Sequence, residues 1–250
     1  MTKIALLGYG GMGRVVEKMA EQQGHDIAAI IDPFCEGCLS EISVQTLAEA
    51  EVCVDFTHPD AVVENIRRVA AVGKPMVVGT TGWYDRMDEV RQIVAEQGVG
   101  LIWSGNFSIG INVLFRIVRC AACIFNKLPD YDVLAHEAHH RNKVDSPSGT
   151  AKMIGQILLD ELDRKKTLVT ERLDRRIQPQ EIHFSSSRGG AIPGTHSVLF
   201  DSEVDTIEIR HTARGRTGFA VGALMAADFI KERTGFYSID DLMAGIVREA

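Results

Sequence analysis

KIALLGYGGMGR, residues 3–14, decides the fold. The apolar run from Lys3 to Leu7 is short, as a buried strand is, and it breaks directly into Gly8-Tyr9-Gly10-Gly11-Met12-Gly13, a G-x-G-x-x-G sequence. In such a motif the first glycine permits a tight turn, the second lets the backbone approach a pyrophosphate, and the third lets helix and strand pack closely. Met12, Val15, Val16, Met19 and Ala20 then follow at helical spacing, the pattern stops near Gly24, and DIAAIID (26–32) is a second apolar run. A strand, a glycine turn, a helix and a strand within about 30 residues make the βαβ unit that binds dinucleotides. Asp32 ends the second strand 19 residues beyond Gly13, where a carboxylate accepts hydrogen bonds from an adenosine ribose. No Arg or Lys occurs in 33–40 to receive a 2′-phosphate, although Arg14 stands nearby, so NADH is expected to be preferred and NADPH tolerated.

The alternation continues outward from this unit. Strands are expected at 52–57, 75–80 and 100–104, with helices over 60–71 and 85–97 between them. Short apolar strands separated by amphipathic helices predict an α/β fold with a Rossmann-type, doubly wound parallel sheet. Ligands of such sheets sit outside the carboxyl ends of the strands, where DFTHP (55–59), GTTGW (79–83) and SGNFS (104–108) fall. After Asn106 the pattern changes to a long apolar helix (109–128), an alternating strand YDVLAHEA (131–138), a helix over 151–165, and strands at 180–186, 196–200 and 204–211. These predict a second α+β domain with a mixed sheet. The helix 219–233 and a short helix after Ser238 close the chain, giving a dinucleotide-binding domain of 1–107 and 217–250 around a substrate and oligomerisation domain of 108–216.

Composition narrows the function. The 250 residues are 45% apolar and 24% charged, with net charge −7, which fits globular structure and argues against broad nucleic-acid or anionic-membrane binding. No apolar run approaches the ~18 residues of a membrane span, and the N-terminus lacks a secretory pattern, so cytoplasmic residence is expected. Five cysteines form two C-x-x-C pairs, Cys35/Cys38 and Cys120/Cys123, plus Cys53. The second pair lies within a helical pattern, where such spacing means packing, and no metal is expected; Cys35/Cys38 sits in a loop and is a weak redox candidate.

The densest chemistry lies between His136 and Thr150. Five groups able to carry positive charge, His136, His139, His140, Arg141 and Lys143, occupy eight residues of an acidic chain. Ser148-Gly149-Thr150 then opens a helix, whose N–H groups and positive end receive a carboxylate. His139 and Lys143 are the candidate proton donors, and His140, Arg141, Ser148, Gly149 and Thr150 the candidate contacts of a small anionic substrate. A zinc site on His136, His139 and His140 is disfavoured by the adjoining cations and by the lack of a recognised zinc spacing.

GYGGMGR (8–14), DFTHP (55–59), GTTGW (79–83), SGNFSIGINV (104–113), EAHHRNKVDSPSGTA (137–151) and RGGAIPGTH (188–196) occur in this order, and together they resemble the 4-hydroxy-tetrahydrodipicolinate reductase (dihydrodipicolinate reductase) family of lysine and diaminopimelate biosynthesis. The resemblance implies a homotetramer that reduces a small cyclic dicarboxylate with NADH or NADPH, with closure of the cleft between cofactor and substrate domains. It implies His139 and Lys143 as the proton-transfer pair, His140 as a substrate contact and Gly149-Thr150 as the carboxylate seat. It further implies cofactor contacts at Gly8, Tyr9, Gly10, Gly11, Met12, Gly13, Arg14, Asp32, Phe56, Gly79, Thr80, Thr81, Ser104, Gly105, Asn106, Phe107, Arg216 and Phe219. The segment between Asp32 and Val52 is shorter than in many relatives, and its Cys-Glu-Gly-Cys is not a mark of the family. Two other readings share the scaffold: an amino-acid dehydrogenase, and a regulatory protein that binds dinucleotide without turnover.

Overall fold

Strand β1, Lys3–Leu7, places Ile4 and Leu6 on one face and Ala5 and Leu7 on the other, and all four are buried, so both faces of its sheet must be covered. In the computed structural model, which describes residues 1–248, helix α1 (Gly11–Gln22) buries Val16 and Ala20 and ends before Gly24, whose φ of +77° suits a residue without a side chain. Strands β2 (Asp26–Ile31), β3 (Val52–Asp55), β4 (Met76–Val78) and β5 (Gly100–Trp103) follow. Helix α2 (Pro59–Ala71) starts with proline in its first turn and buries Val62, Val63, Ile66, Val69 and Ala70, a continuous apolar stripe. A single 3₁₀ turn, Tyr84–Arg86, leads into α3 (Met87–Gln97), which stops at Gly98 with φ +61°.

Residues Gly110–Gly215 form a compact unit of their own. Helix α4 (Ile109–Phe125) leads into β6 (Asp132–His139), α5 (Gly149–Glu161), β7 (Thr167–Val169), β8 (Glu181–Arg188), β9 (Thr195–Asp201) and β10 (Thr206–Thr212). The sheet order is β10-β9-β6-β8-β7, antiparallel from β10 to β6 and parallel from β6 to β7. Val133 and Ala135 of β6, Ile182 and Phe184 of β8, and Val198 and Phe200 of β9 share a core with Leu114, Val118, Ile154 and Leu158 of the two helices. The opposite face, carrying Leu134 and His136, is left partly exposed.

From Arg216 the chain rejoins the first unit. Helix α6 (Thr217–Ile230), strand β11 (Gly235–Ser238) and helix α7 (Ile239–Arg248) complete it. The first sheet has six parallel strands in the order β11-β5-β4-β3-β1-β2. One face packs on Val62, Ile66 and Val90, the other on Val16, Ala223 and Ala227, so the sheet is doubly wound.

Most expected elements lie within a few residues of their expected bounds. Three helices stop early: the expected 109–128 ends at Phe125, 151–165 at Glu161 and 219–233 at Ile230. Lys165 is instead drawn to Asp132 Oδ1 at 2.5 Å and to the carbonyls of Pro179 and Glu181, contacts that helical phase alone does not reveal. Strands β7 and β11 were not expected; three and four residues are too few to show a period. Cys120 and Cys123 do not pack in the core. They fall off the stripe of Ile111, Leu114, Phe115, Val118, Ala122 and Phe125 and are exposed, while Cys53 is the buried thiol, pushed up to about 12 by burial.

Candidate active site

Strand order reverses at β1, which has β2 on one side and β3 on the other, and the crevice beyond the carboxyl ends of β1 and β3 is where such sheets bind ligands. The glycines there are sterically required. A Cβ on Gly13 would lie 2.3 Å from the Gly8 carbonyl oxygen, one on Gly8 (φ +85°) 2.5 Å from that of Phe56, and one on Gly79 2.1 Å from the Phe56 ring. Helix α1 thus begins hard against the turn, with its amide-rich end at the sheet edge. A cavity of about 220 Å³ opens beside it, lined by Met12, Phe56, Gly79, Ser104, Gly105, Asn106, Phe107, Arg216 and Phe219. The guanidinium of Arg216 reaches to 2.6 Å from where a Gly11 Cβ would stand, so a fixed positive charge faces the glycine turn.

Several other expected cofactor contacts fix the loops at this sheet edge. Asp32 accepts from the Tyr9 amide at 2.7 Å and the Phe34 amide at 2.9 Å, so its carboxylate ties the glycine turn to the loop after β2. Arg14 lies over the Tyr9 ring at 4.3 Å, and the Tyr9 hydroxyl bonds Glu17. Thr80 faces inward, donating to Asp55 Oδ1 at 2.6 Å and accepting from the Thr57 amide at 2.7 Å. Asp55 is fully buried and also accepts from the Thr57 hydroxyl at 2.8 Å and Asn65 at 2.9 Å, holding the loops after β3 and β4 together. Burial pushes its carboxyl up, against those hydrogen bonds. Asp55 was not singled out from the sequence, where a carboxylate ending a buried strand looks like any solvated strand end. In the loop after β2, the Cys38 thiol is pushed up to about 11 by its hydrogen bond to Cys35.

The second cluster grows from the pleat of β6. Val133 and Ala135 point into the core, and the next two inward positions are Glu137 and His139. Register sets Ser186 and Arg188 of β8 and His196 of β9 beside them. Glu137 Oε1 accepts from the Ser148 amide at 2.9 Å, the Ser186 hydroxyl at 2.9 Å and Arg188 Nη2 at 2.8 Å. Its Oε2 faces His139 Nδ1 at 3.3 Å and His196 Nε2 at 3.5 Å. Burial alone would raise the Glu137 carboxyl, but the donors facing it, His196, Ser148 and Arg188, prevail and hold it far below the usual carboxylate range. Burial lowers His139 to about 4; Glu137 opposes this, while the charges on His196, Lys143 and Arg188 reinforce it.

Ser148 caps α5, its hydroxyl accepting from the Ala151 amide at 3.1 Å and meeting His196 Nε2 at 3.2 Å. A Cβ on Gly149 would meet nothing within 4 Å, so the mouth of the helix is open at that point. Lys143 is paired with Asp145 at 2.7 Å on the loop between β6 and α5, and Arg141 on the same loop is exposed. Arg188 pins that loop by donating to the Asp145 carbonyl at 2.6 Å. His140 is half-buried, and its Nδ1 has no partner among the described residues. The trio His136, His139 and His140 is not assembled as a metal site, since His136 faces the other side of the sheet and bonds Ser185 at 2.9 Å. Glu137, His139 and His196 do place one ligand atom each within 4.8 Å of the others.

Two family profiles cover nearly all of the chain: "Dihydrodipicolinate reductase, N-terminus" over residues 2–107 and "Dihydrodipicolinate reductase, C-terminus" over 110–243. The chain belongs to the dihydrodipicolinate reductase family. It is 36% identical to the 4-hydroxy-tetrahydrodipicolinate reductase of Christiangramia forsetii, over 98% of this chain and 99% of that one. It is 35% identical to that of Staphylococcus aureus, over 96% and 100%. Among solved structures, dipicolinate-bound dihydrodipicolinate reductase from Paenisporosarcina sp. TG-14 superposes with a TM-score of 0.77 at 23% identity, covering 95% of this chain and 97% of that one. Diaminopimelate dehydrogenase from C. glutamicum, at TM-score 0.53 and 14% identity over 97% and 98%, shares the fold. As a dihydrodipicolinate reductase family member the protein is an enzyme, an oxidoreductase that uses a pyridine nucleotide, and the glycine turn, cavity and Arg216 fit such a cofactor. Among the described residues no helix is long and apolar enough to cross a membrane.

Glu137, Arg188 and His196 lie within the motifs 137–151 and 188–196 that carry the family resemblance, but the sequence reading gives them no role. The alternation in YDVLAHEA holds the signal: continuing the inward row of Val133 and Ala135 buries a carboxylate, which then demands partners.

Proposed function

We propose that the enzyme reduces 4-hydroxy-tetrahydrodipicolinate to tetrahydrodipicolinate in lysine and diaminopimelate biosynthesis, in the cytoplasm, with NADH preferred over NADPH. One observation carries this reading: a buried histidine, Lys143 and the open mouth of α5 at Gly149 are all held on one strand–loop–helix segment. A planar diacid needs a seat for a carboxylate, fixed positive charge and a proton donor, and this segment supplies them.

In the reaction, one NAD(P)H and one proton convert the hydroxylated ring to product, NAD(P)⁺ and water. The ring hydroxyl leaves as water, giving a conjugated ring. The bound reduced nicotinamide supplies the hydride. The chain's task is to hold the ring and to protonate the enamine as negative charge develops on it. Gly149 and Thr150, at the start of α5, offer amides and the positive helix end to one carboxylate. Arg141 and His140 orient the diacid, and Lys143 opposes the growing charge. Burial lowers His139 to about 4, which favours the neutral imidazole before substrate binds. A dianion seated beside it favours the imidazolium, so the substrate itself loads His139 with the proton it then delivers.

Around the cofactor, Gly8 to Gly13 receive the pyrophosphate and Asp32 the adenosine ribose, while Phe56, Gly79 to Thr81, Ser104 to Phe107, Arg216 and Phe219 border the nicotinamide end. The homotetramer is proposed to form through the exposed face of the second sheet, where Leu134 is 43% exposed. The test is NADH oxidation followed at 340 nm. It should require the condensation product of pyruvate and aspartate semialdehyde. Turnover of amino acids with NAD⁺ instead would assign an amino-acid dehydrogenase, and binding without turnover a regulatory protein.

A further inference from the structure

We infer that Glu137 is a positioning residue for proton transfer, fixing the imidazole of His139 with its proton on Nδ1 and its Nε2 turned toward Gly194, while docking the first turn of α5; the inference rests on the proton-transfer role proposed for His139. Glu137 has no exposed surface. Its two oxygens divide the work between two parts of the site. Oε1 is saturated by the Ser148 amide, the Ser186 hydroxyl and Arg188 Nη2. Oε2 makes no hydrogen bond of good geometry among the described residues, and neither does Nδ1 of His139, 3.3 Å away. Two ring nitrogens face that oxygen, His139 Nδ1 at 3.3 Å and His196 Nε2 at 3.5 Å, and whichever of them serves it, an unprotonated His139 Nδ1 would set its lone pair against a buried carboxylate, so the proton is favoured on Nδ1. Catalytic hydrogen bonds are often poorly aligned before substrate binds and tighten in the complex.

His196 does not displace this arrangement. Its Nε2 is shared between Ser148 Oγ at 3.2 Å and Oε2 at 3.5 Å, and either tautomer of His196 leaves His139 Nδ1 facing an acceptor. On the far side of the imidazole, a Cβ at Gly194 would come within 3.0 Å of Nε2, and the φ of +149° at Gly194 favours glycine there. The ring is therefore held by a carboxylate on one edge and given room on the other. Arg188 joins the other oxygen, Oε1, to the Asp145 carbonyl, so the loop bearing Lys143 is referenced to the same carboxylate. The charged and titratable groups acting on His139 are Glu137, His196, Lys143 and Arg188.

The test is Glu137→Gln, nearly the same size but without the charge and with a donor available to face Nδ1. In the wild-type enzyme, ¹⁵N spectra of labelled histidine should show His139 at neutral pH as the Nδ1–H tautomer. In Glu137→Gln that preference should be lost, kcat should fall about 100-fold or more, the pH profile should shift, and cofactor affinity should be unchanged; Glu137→Asp should restore part of kcat. An Nε2–H tautomer in the wild type would overturn the inference even if no variant folds. So would a Glu137→Gln enzyme with kcat within twofold of wild type. The His139→Gln variant separates the two readings: full turnover there removes His139 from the chemistry, whereas the tautomer measurement judges Glu137 alone.

Discussion

Acid should charge His139 late and at a cost to folding. Burial holds the folded imidazole at about 4, against 6.5 for an ordinary one. Between those values the unfolded chain binds more protons than the folded one, so stability falls as pH drops through that window, and above pH 6.5 the group contributes no pH dependence. At pH 4.5 the unfolded imidazole is almost fully protonated and the folded one about one quarter so, a difference of roughly 2.5 kcal/mol at 1.36 kcal/mol per pKa unit. Glu137 does not confuse the range, because its depressed carboxyl gives up stability only as pH falls below the ordinary carboxylate value of 4.5. The assay pairs an NMR titration of the His139 ring with urea unfolding of wild type and His139→Gln at pH 7.5, 6.0 and 4.5. Wild type should lose about 2.5 kcal/mol more than the variant between the first and last of these. A ring that titrates near 6.5, or two stability curves that run parallel, would refute the burial argument. Added pyridine-2,6-dicarboxylate should move the midpoint upward, because a dianion beside the ring favours its charged form.

Three further outcomes follow from the geometry. Lys143→Ala should lower kcat by about 10²–10⁴ with cofactor affinity nearly unchanged, as stopped-flow and equilibrium titrations will read. Asp32→Ala should weaken both cofactors, because the Tyr9 amide loses its 2.7 Å partner, and should weaken NADH more than NADPH, since the ribose contact is lost and repulsion of a 2′-phosphate relieved; tight-binding fluorescence titration decides the order. Gly13→Ala and Gly149→Ala should differ in kind: the first drives a methyl to 2.3 Å from the Gly8 carbonyl and should cost stability and cofactor binding together. The second meets nothing within 4 Å, so it should fold normally and raise the KM for the diacid alone.

What could be read from the sequence follows from which signals are local. The glycine turn, the strands on either side of it and the helices after β3 and β4 announce themselves by spacing, because a buried parallel strand and an amphipathic helix each need a fixed pattern of apolar residues. Strands β7 and β11 do not, because their places are granted by neighbours, Val169 beside His183 and Tyr237 beside Ile102, rather than by their own few residues. The same divide runs through the site. His139, Lys143 and Gly149 fall within one short segment and stand out. Glu137 acquires its meaning from Arg188 and His196, which lie 51 and 59 residues further along and meet it only through the register of β6 with β8 and β9. Asp55 likewise becomes a brace only when β4 brings Thr80 alongside.

The claim at the centre of this account is that residues 139–150 bind the doubly negative ring, and a crystal structure of the enzyme with NADH and pyridine-2,6-dicarboxylate tests it most directly. One carboxylate should lie within hydrogen-bond distance of the Gly149 and Thr150 amides, with Lys143 and the Nε2 edge of His139 against the ring. A fully occupied diacid bound elsewhere, with α5 and His139 untouched, would contradict it.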